Sequence, residues 1–323
     1  MSDASYAEIA RLLPAGPPLC LTTHESPDGD AIGSLLGAGM ALEAAGRDVW
    51  LYLAGATPMP HEYGFLPVDR IHREPPSDLE QRELWAFDCG SARRIGPDAS
   101  LLERPLRIIN VDHHHDNTRF GALDLVDPEA ACTAQIIERL LREAQIEIGS
   151  AVAEALYVGL VTDTGRFQYS NTTPETFRLA ARLVDAGARP TAVFAEIWET
   201  VPFAKQRLLG IALEHARLEA SGKLLVTWLT RDDYISAGAD EPFSEGVVDH
   251  LRAVEGVSVA ALVREPRELD GPRHKVSLRG RDAGVDVSKI ARIRGGGGHV
   301  GAAGFTSDET IPEIVEFLRA SVT

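Results

Sequence analysis

Three cysteines in 323 residues, Cys20, Cys89 and Cys132, stand too far apart for a CxxC or zinc-finger spacing. That excludes a disulfide framework and a cysteine-ligated structural metal. No apolar run approaches the ~20 residues of a membrane span. The opening MSDASYAEIA has no basic segment followed by an apolar one, so neither a membrane anchor nor an export signal is expected. A reducing cytoplasm is the expected setting. Positive charge is scarce too: 32 Lys and Arg face 48 Asp and Glu, a formal net charge of −16, which rules out a general nucleic-acid coat. An anionic substrate then requires cations that are concentrated locally or brought in as metal ions. There is no internal repeat and no low-complexity tract beyond the glycine run 295–298.

What is present is ordinary globular material, 44% hydrophobic and 25% charged, in a chain about twice the ~100–200 residues typical of one domain. Two domains are expected. Over residues 1–188, short apolar runs at 19–23, 49–53, 84–87 and 106–111 alternate with helix-period stretches at 31–45, 131–143, 152–161 and 174–186. This alternation predicts β-α-β units with a mostly parallel sheet flanked by helices. Residues 189–221 carry no strand pattern and read as a helical linker, with 203–218 its main helix. Strands at 224–229, 257–263 and 275–278 and helices near 245–254, 287–293 and 311–320 then predict a smaller α/β domain over 222–323.

The polar clusters of the first half fall directly after its apolar runs. In open α/β sheets, ligands gather at the carboxyl ends of strands, so these clusters should converge. His24-Glu-Ser-Pro-Asp28-Gly-Asp30 reads on its own as a tight turn in which Asp30 caps the next helix. It also aims an imidazole and two carboxylates at one point, a donor set suited to Mn²⁺, Mg²⁺ or Zn²⁺. Asp88 ends the run Leu84-Trp-Ala-Phe. Asp112-His113-His114-His115 follows another strand, and Asp163 ends an apolar helix, where its charge opposes the helix dipole and needs a compensating cation. Near the other end of the chain, residues 271–299 hold seven Lys or Arg against two Asp or Glu. Arg279, after a strand, is the best single candidate for gripping a phosphate. Arg292, Arg294 and His299 flank a glycine run, Gly295 to Gly298, whose backbone amides can approach an anion closely.

In this order, HxxPDGDA, a strand-end Asp, DHH and TDTGRF resemble the four motifs of the DHH phosphoesterases. Ser277-Leu-Arg279-Gly together with the Gly295–Gly304 stretch resembles the DHH-associated C-terminal domain. The layout is similar to that of the nanoRNases, the oligoribonuclease/pAp phosphatases. Two departures are Ser26, where many members have Asn, and the additional His115, which leaves the pairing within DHHH ambiguous. The resemblance implies one metal held by His24, Asp28 and Asp88 and a second held by Asp30, Asp88, His113 and Asp163, with Mn²⁺ the first choice for both. It leaves His114 for substrate contact or protonation of the leaving oxygen, and Asp112 for orienting an imidazole. Arg279, Gly297, Gly298 and His299 would contact substrate. Four ligand carboxylates and two divalent ions are formally neutral together, and such a pair supplies activated water and charge compensation for an in-line phosphoryl transition state.

The implied enzyme is a metal-dependent phosphodiesterase and phosphatase. Its partners would be short RNA or DNA oligonucleotides, pAp, or cyclic or linear dinucleotides; no membrane is expected, and a homodimer is compatible with the resemblance. Among the alternatives, a family II pyrophosphatase lacks the glycine-histidine domain, and a RecJ-type exonuclease normally needs an extended basic channel. A cyclic-dinucleotide phosphodiesterase is not separated by the sequence. A non-catalytic binding module would have lost ligand positions that are all filled here.

Overall fold

The structure, a computed structural model, describes residues 3–96, 99–266, 271–281, 285–298 and 300–322. The chain divides into two compact units, Met1–Thr200 and Val201–Thr323. The first contains α1 (Tyr6–Ala10), β1 (Leu19–Thr22), α2 (Gly29–Ala44), β2 (Val49–Tyr52), β3 (Glu83–Phe87), β4 (Arg107–Asp112) and β5 (Leu123–Val126). It continues with α3 (Thr133–Glu143), α4 (Ser150–Asp163), α5 (Pro174–Asp185) and α6 (Pro190–Phe194). Its five strands are ordered β2-β1-β3-β4-β5, and every pairing is parallel. The chain leaves β1 for β2 on one side and returns to β3 on the other. This places a topological switch between β1 and β3, where a crevice opens at the carboxyl ends.

One face of this sheet carries Leu19, Leu21, Leu51, Trp85, Phe87, Ile109 and Val111 into the core shared with the helices. The other face, with Cys20, Tyr52, Leu84 and Ala86, is closed by residues of short 3-10 turns and their flanks, Leu79, Ile95 and Leu101. Helix α2 is buried on every side from Gly29 to Leu42, as expected of a helix that is apolar all round. Its glycines set the packing distance. A Cβ at Gly33 would overlap the Ala155 carbonyl oxygen of α4 and lie 2.9 Å from the Gly159 nitrogen, and one at Gly37 would lie 2.7 Å from Leu156 Cδ2.

The expected cap of α2 is corrected. Asp28, not Asp30, is the N-cap, accepting from the backbone N–H of Asp30 (3.1 Å) and of Ala31 (3.0 Å). Asp30 sits inside the first turn and is free to point elsewhere. The cap at Thr173 is as expected, with Pro174 opening α5 and a reciprocal bond to Thr176. Strand β5 escapes the sequence reading because Asp124 interrupts its apolar run, Leu123-Asp-Leu-Val.

The second unit holds α7 (Phe203–His215), β6 (Arg217–Glu219), β7 (Leu224–Leu229), α8 (Arg231–Ala237), α9 (Val247–Arg252), β8 (Val259–Arg264), β9 (His274–Gly280), α10 (Val287–Ile293), β10 (Gly297–Gly298), β11 (Ala302–Ser307) and α11 (Ile311–Val322). Its sheet runs β10-β11-β9-β8-β7-β6, with only β7 and β8 parallel. Helices α10 and α11 pack on one face through Ile290, Ile314 and Leu318. Helices α7 to α9 cover β7 and β8 on the other through Leu208, Tyr234 and Leu251. The segment 189–221, read as wholly helical, is corrected at its end: α7 stops at His215, and β6 follows as an edge strand paired with β7. Three exposed or half-buried residues, Arg217, Leu218 and Glu219, offer no burial alternation from which to read a strand. The segment is also shared out, with Val193 in the first unit's core and Leu208 and Ala212 in the second's. Among the described residues, no helix is long and apolar enough to cross a membrane.

Gly33→Ala should lower stability by about 1–3 kcal/mol through overpacking at the α2–α4 contact. Gly210→Ala, at an exposed position of α7 with no atom within 4 Å of the added carbon, should raise it by about 0.5–1 kcal/mol through helix propensity. Denaturant unfolding of both variants checks the pair. Equal effects would mean that the helix contact is slack.

Candidate metal centre

Three of the four polar motifs end parallel strands of the first unit, and the fourth ends α4. His24 follows β1, Asp88 follows β3, Asp112 is the last residue of β4, and Asp163 is the last residue of α4. Two close packings hold the first and fourth motifs together. A Cβ at Gly29 would lie 2.6 Å from Thr162 Cγ2, and one at Gly159 would lie 2.7 Å from Asp30 Oδ1. Only glycine permits either approach.

Asp88 is the hub. Its backbone takes φ +58 directly after β3, a left-handed conformation that Asp tolerates better than most side chains. The carboxylate is 2% exposed. It accepts one hydrogen bond, from Thr133 Oγ1 at 3.0 Å. Three imidazoles stand just beyond bonding distance: His24 Nε2 is 3.6 Å from Oδ2, and His113 Nε2 (3.5 Å) and His114 Nδ1 (3.6 Å) face Oδ1. Burial raises the Asp88 pKa, but His113 and then His24 more than offset that, holding it well below the usual carboxylate range.

His24 is buried, and its Nε2 has no hydrogen-bond partner. A buried ring nitrogen left unpaired is costly unless a ligand or ion engages it. His24, Asp28 and Asp88 each bring a ligand atom within 4.8 Å of the others, and so do Asp88, Asp112, His113 and His114. Asp163 Oδ2 lies 3.8 Å from His113 Nε2. Its position is fixed by Asn171, whose Nδ2 donates to the Asp163 carbonyl at 3.1 Å and to that of Ala131 at 2.9 Å. His115 is exposed, so it is His113 and His114 that face the cluster.

Asp30 is held differently. Its two oxygens accept the backbone N–H of Thr133 (2.6 Å) and of Ala134 (3.0 Å) at the start of α3, and Ser34 Oγ donates at 3.2 Å. A helix N-terminus favours negative charge, yet burial, then Asp88 and Asp163, push the Asp30 pKa well up. Asp163 is pushed up to about 6, first by burial, with Asp88 and Asp28 adding to it and His113 opposing. His113 is raised to about 10: burial lowers it, but the carboxylates of Asp88, Asp30 and Asp163 win. Too many negative charges therefore share one small volume. Imidazole and carboxylate donors, an unpaired His24 nitrogen and two carboxylates pushed upward fit a site built for divalent cations.

Asp112 and His114 form a separate arm. His114 Nδ1 is 2.8 Å from Asp112 Oδ1, and Asn117 Nδ2 donates to Asp112 Oδ2 at 2.6 Å. Burial raises Asp112, but the bond and charge of His114 together with the bond from Asn117 outweigh it and leave the pKa lowered; His114 is raised in turn, because the carboxylates of Asp112 and Asp88 outweigh its burial. Thr133, Asn117, Asn171 and Arg94, whose NH1 lies 3.4 Å from His114 Nε2, escape the motif reading. The only signal for Arg94 was a pair of arginines just after a strand-end Asp in an acidic chain.

In the second unit, Arg264 on β8 and Lys275, Ser277 and Arg279 on β9 share one sheet face by register, and Arg264 NH2 donates to Ser277 Oγ at 2.8 Å. Arg279 Nε donates to Asp249 Oδ1 at 3.2 Å, so this arginine already has a carboxylate partner. Gly297 and Gly298 form the short exposed strand β10, paired antiparallel with Gly304 and Ala303. Gly298, at φ +135, would place a Cβ 2.6 Å from Ala303 Cα, so the run is a tight hairpin in which glycine is required. Arg294 is taken by Glu309 at 2.8 Å. His299 lies outside the described residues.

Residues 18–160 match the family model described as "DHH family, N-terminal domain", and residues 221–323 match the DHHA1 domain. A Thermus thermophilus protein named bifunctional oligoribonuclease and PAP phosphatase NrnA is 36% identical over 95% of this chain and 90% of its own length. An exopolyphosphatase-related protein from Bacteroides fragilis superposes with a TM-score of 0.89 at 24% identity, covering 98% of this chain and 95% of its own. A manganese-bound exonuclease RecJ superposes at 0.55 with 16% identity, covering 99% and 94%.

The raised Asp163 fixes a sign. A carboxylate lifted from 3.8 to about 6 by folding stabilises the metal-free fold below pH ~4, and that contribution is lost as pH rises through ~6. Asp163→Asn should therefore stabilise the chelated protein by ~1–3 kcal/mol at pH 8 and by little at pH 4. Thermal melts in chelator at both pH values test this. A variant destabilised at pH 8 would show that Asp163 is not under repulsion.

Proposed function

The chain belongs to the DHH family of metal-dependent phosphoesterases, and on that premise we propose that it hydrolyses short oligonucleotides and pAp to mononucleotides. The observation that supports this most is the gathering of His24, Asp28 and His113 around the Asp88 carboxylate, with Asp163 3.8 Å from His113, in a chain so similar over its length to an oligoribonuclease and PAP phosphatase. In this reading His24, Asp28 and Asp88 would hold one divalent ion and Asp30, Asp88, His113 and Asp163 a second, with Mn²⁺ preferred. When bound, the ions would supply activated water and offset the charge of an in-line phosphoryl transition state.

The protein's own residues do the rest. Thr133 and the α3 amides fix Asp88 and Asp30, so the carboxylates need no rearrangement during reaction. Asn117 and Asp112 hold the Nδ1 side of His114, which leaves Nε2 to hydrogen-bond the reacting phosphate and give its proton to the leaving oxygen. Arg279, Gly297, Gly298 and His299 take a second phosphate or the nucleotide end. The free, buried cysteines suit the cytoplasm, where we place the enzyme.

Short substrates follow from the charge distribution. A long strand binds along an extended basic groove with aromatic platforms. Here the basic surplus lies within residues 271–299 of an otherwise acidic chain. A pAp or a chain of two to roughly five nucleotides carries few phosphates and needs no such groove, whereas a longer strand must cross surface that repels it over ~8 Å at physiological salt.

The test is a panel of pAp, labelled oligomers from two to about twenty nucleotides, cyclic dinucleotides and pyrophosphate, with and without Mn²⁺. The expected outcome is a rate per chain that falls steeply beyond about five nucleotides and is abolished by chelator. A flat or rising length profile would favour a processive exonuclease, and cleavage of cyclic dinucleotides alone would redirect the substrate assignment.

A further inference from the structure

In this acidic chain, arginines of the first unit are generally matched to carboxylates. Arg82 binds Asp78 and Asp48, Arg107 binds Glu83, Arg119 binds Asp3, Arg182 binds Glu138, and Arg189 binds Glu154. Arg94 is half-buried and, among the described residues, has no carboxylate within ion-pair distance. Among those residues its one side-chain hydrogen-bond approach is that of NH1 to His114 Nε2, at 3.4 Å. We propose that Arg94 is a substrate-contacting residue, which together with His114 grips a non-bridging oxygen of the phosphate being cleaved. The inference rests on the phosphoesterase reading above and adds a residue to it.

The backbone carrying Arg94 is braced for such a task. Residues 88–94 connect Asp88 to a 3-10 turn, Ala92–Arg94, and the segment is stitched to the loops on both sides. The Arg94 carbonyl accepts the Glu25 N–H at 2.8 Å, tying it to the His24–Asp28 turn. The Gly90 carbonyl accepts from Thr118 N–H at 2.8 Å, and the Cys89 carbonyl accepts from Asn117 Nδ2 at 3.1 Å, tying it to the loop after His113 and His114. A solvated arginine has no need of a segment fixed at both flanks. One that must meet a phosphate at a set position does.

The placement also fits the chemistry. His114 turns Nδ1 toward Asp112, so Nε2 is the nitrogen left for a ligand, and the guanidinium stands beside it. A phosphoryl oxygen entering there meets donors from two sides, and a guanidinium's planar fork matches phosphate oxygens in a way an ammonium does not. It also supplies a fixed positive charge among the carboxylates, where an incoming anion most needs one.

The experiment compares Arg94→Met, Arg94→Lys and, as a control, Arg93→Ala on the exposed neighbour. Three readings are taken: divalent-ion content by elemental analysis, affinity of the Mn²⁺-loaded protein for inorganic phosphate by calorimetry, and kcat/KM on a diribonucleotide. Arg94→Met should keep its metal, and both phosphate affinity and kcat/KM should fall about 10- to 150-fold, the range for a lost charge-assisted hydrogen bond. Arg94→Lys should recover part of the loss, and Arg93→Ala should stay within about twofold of the parent protein. Unchanged phosphate affinity in Arg94→Met, loss of bound metal in that variant, or absence of saturable phosphate binding in the parent would each overturn the assignment. If the parent binds phosphate but cleaves no diribonucleotide, the oligonucleotide reading fails, while phosphate affinity still decides the role of Arg94.

Discussion

The repulsion among carboxylates gathered at the carboxyl-end edge of the first unit's parallel sheet is the constraint on which the rest of this structure depends. Asp88, Asp30 and Asp163 are close enough for each to disturb the others' protonation, and burial first, then this repulsion, pushes Asp30 and Asp163 upward. Left to itself, such a cluster would splay or protonate. The fold prevents splaying by holding each member from outside: Thr133 on Asp88, the first amides of α3 on Asp30, Asn171 at Asp163. It leaves the charge itself uncompensated, and divalent cations answer that need.

The cost of this arrangement is visible in the scaffold. Helix α4 must bring Asp163 against a turn that belongs to α2, and two helices come this close only where side chains are missing. Gly33 and Gly37 in α2 and Gly159 in α4 supply the gap, and Gly29 lets the first motif rest on Thr162 of the fourth. Glycine weakens an isolated helix, yet here these glycines bring the motifs together. The left-handed turn at Asp88 belongs with them, as a local strain accepted at the residue on which the imidazoles converge.

Much of this was legible in the sequence, for physical reasons. Alternation of short apolar runs with helix-period stretches marks parallel β-α-β units, and β1 to β4, α2 to α5 and the strand-end placement of His24, Asp88 and Asp112 were read from it. Other features were hidden because they depend on tertiary contacts. The short strands β5 and β6 offer no unbroken apolar run to read, since Asp124 interrupts the first and Arg217 and Glu219 flank Leu218 in the second. Asp28 rather than Asp30 caps α2 because the α3 amides claim the Asp30 carboxylate, and they come from 103 residues further along the chain. Arg279 was identified by its position after a strand, but its pairing with Asp249 on α9 could not be. Arg94 went unremarked because arginine pairs on loops are common. Only the lack of a carboxylate partner among the described residues and the approach to His114 distinguish it.

The most direct test of the account is a crystal structure of the Mn²⁺-soaked protein with anomalous scattering recorded at the manganese edge. The account predicts two anomalous peaks per chain that share Asp88, one also contacted by His24 and Asp28 and the other by His113 and Asp163. A single peak, or one bound by Asp112 and His114 with His24 left unengaged, would contradict it.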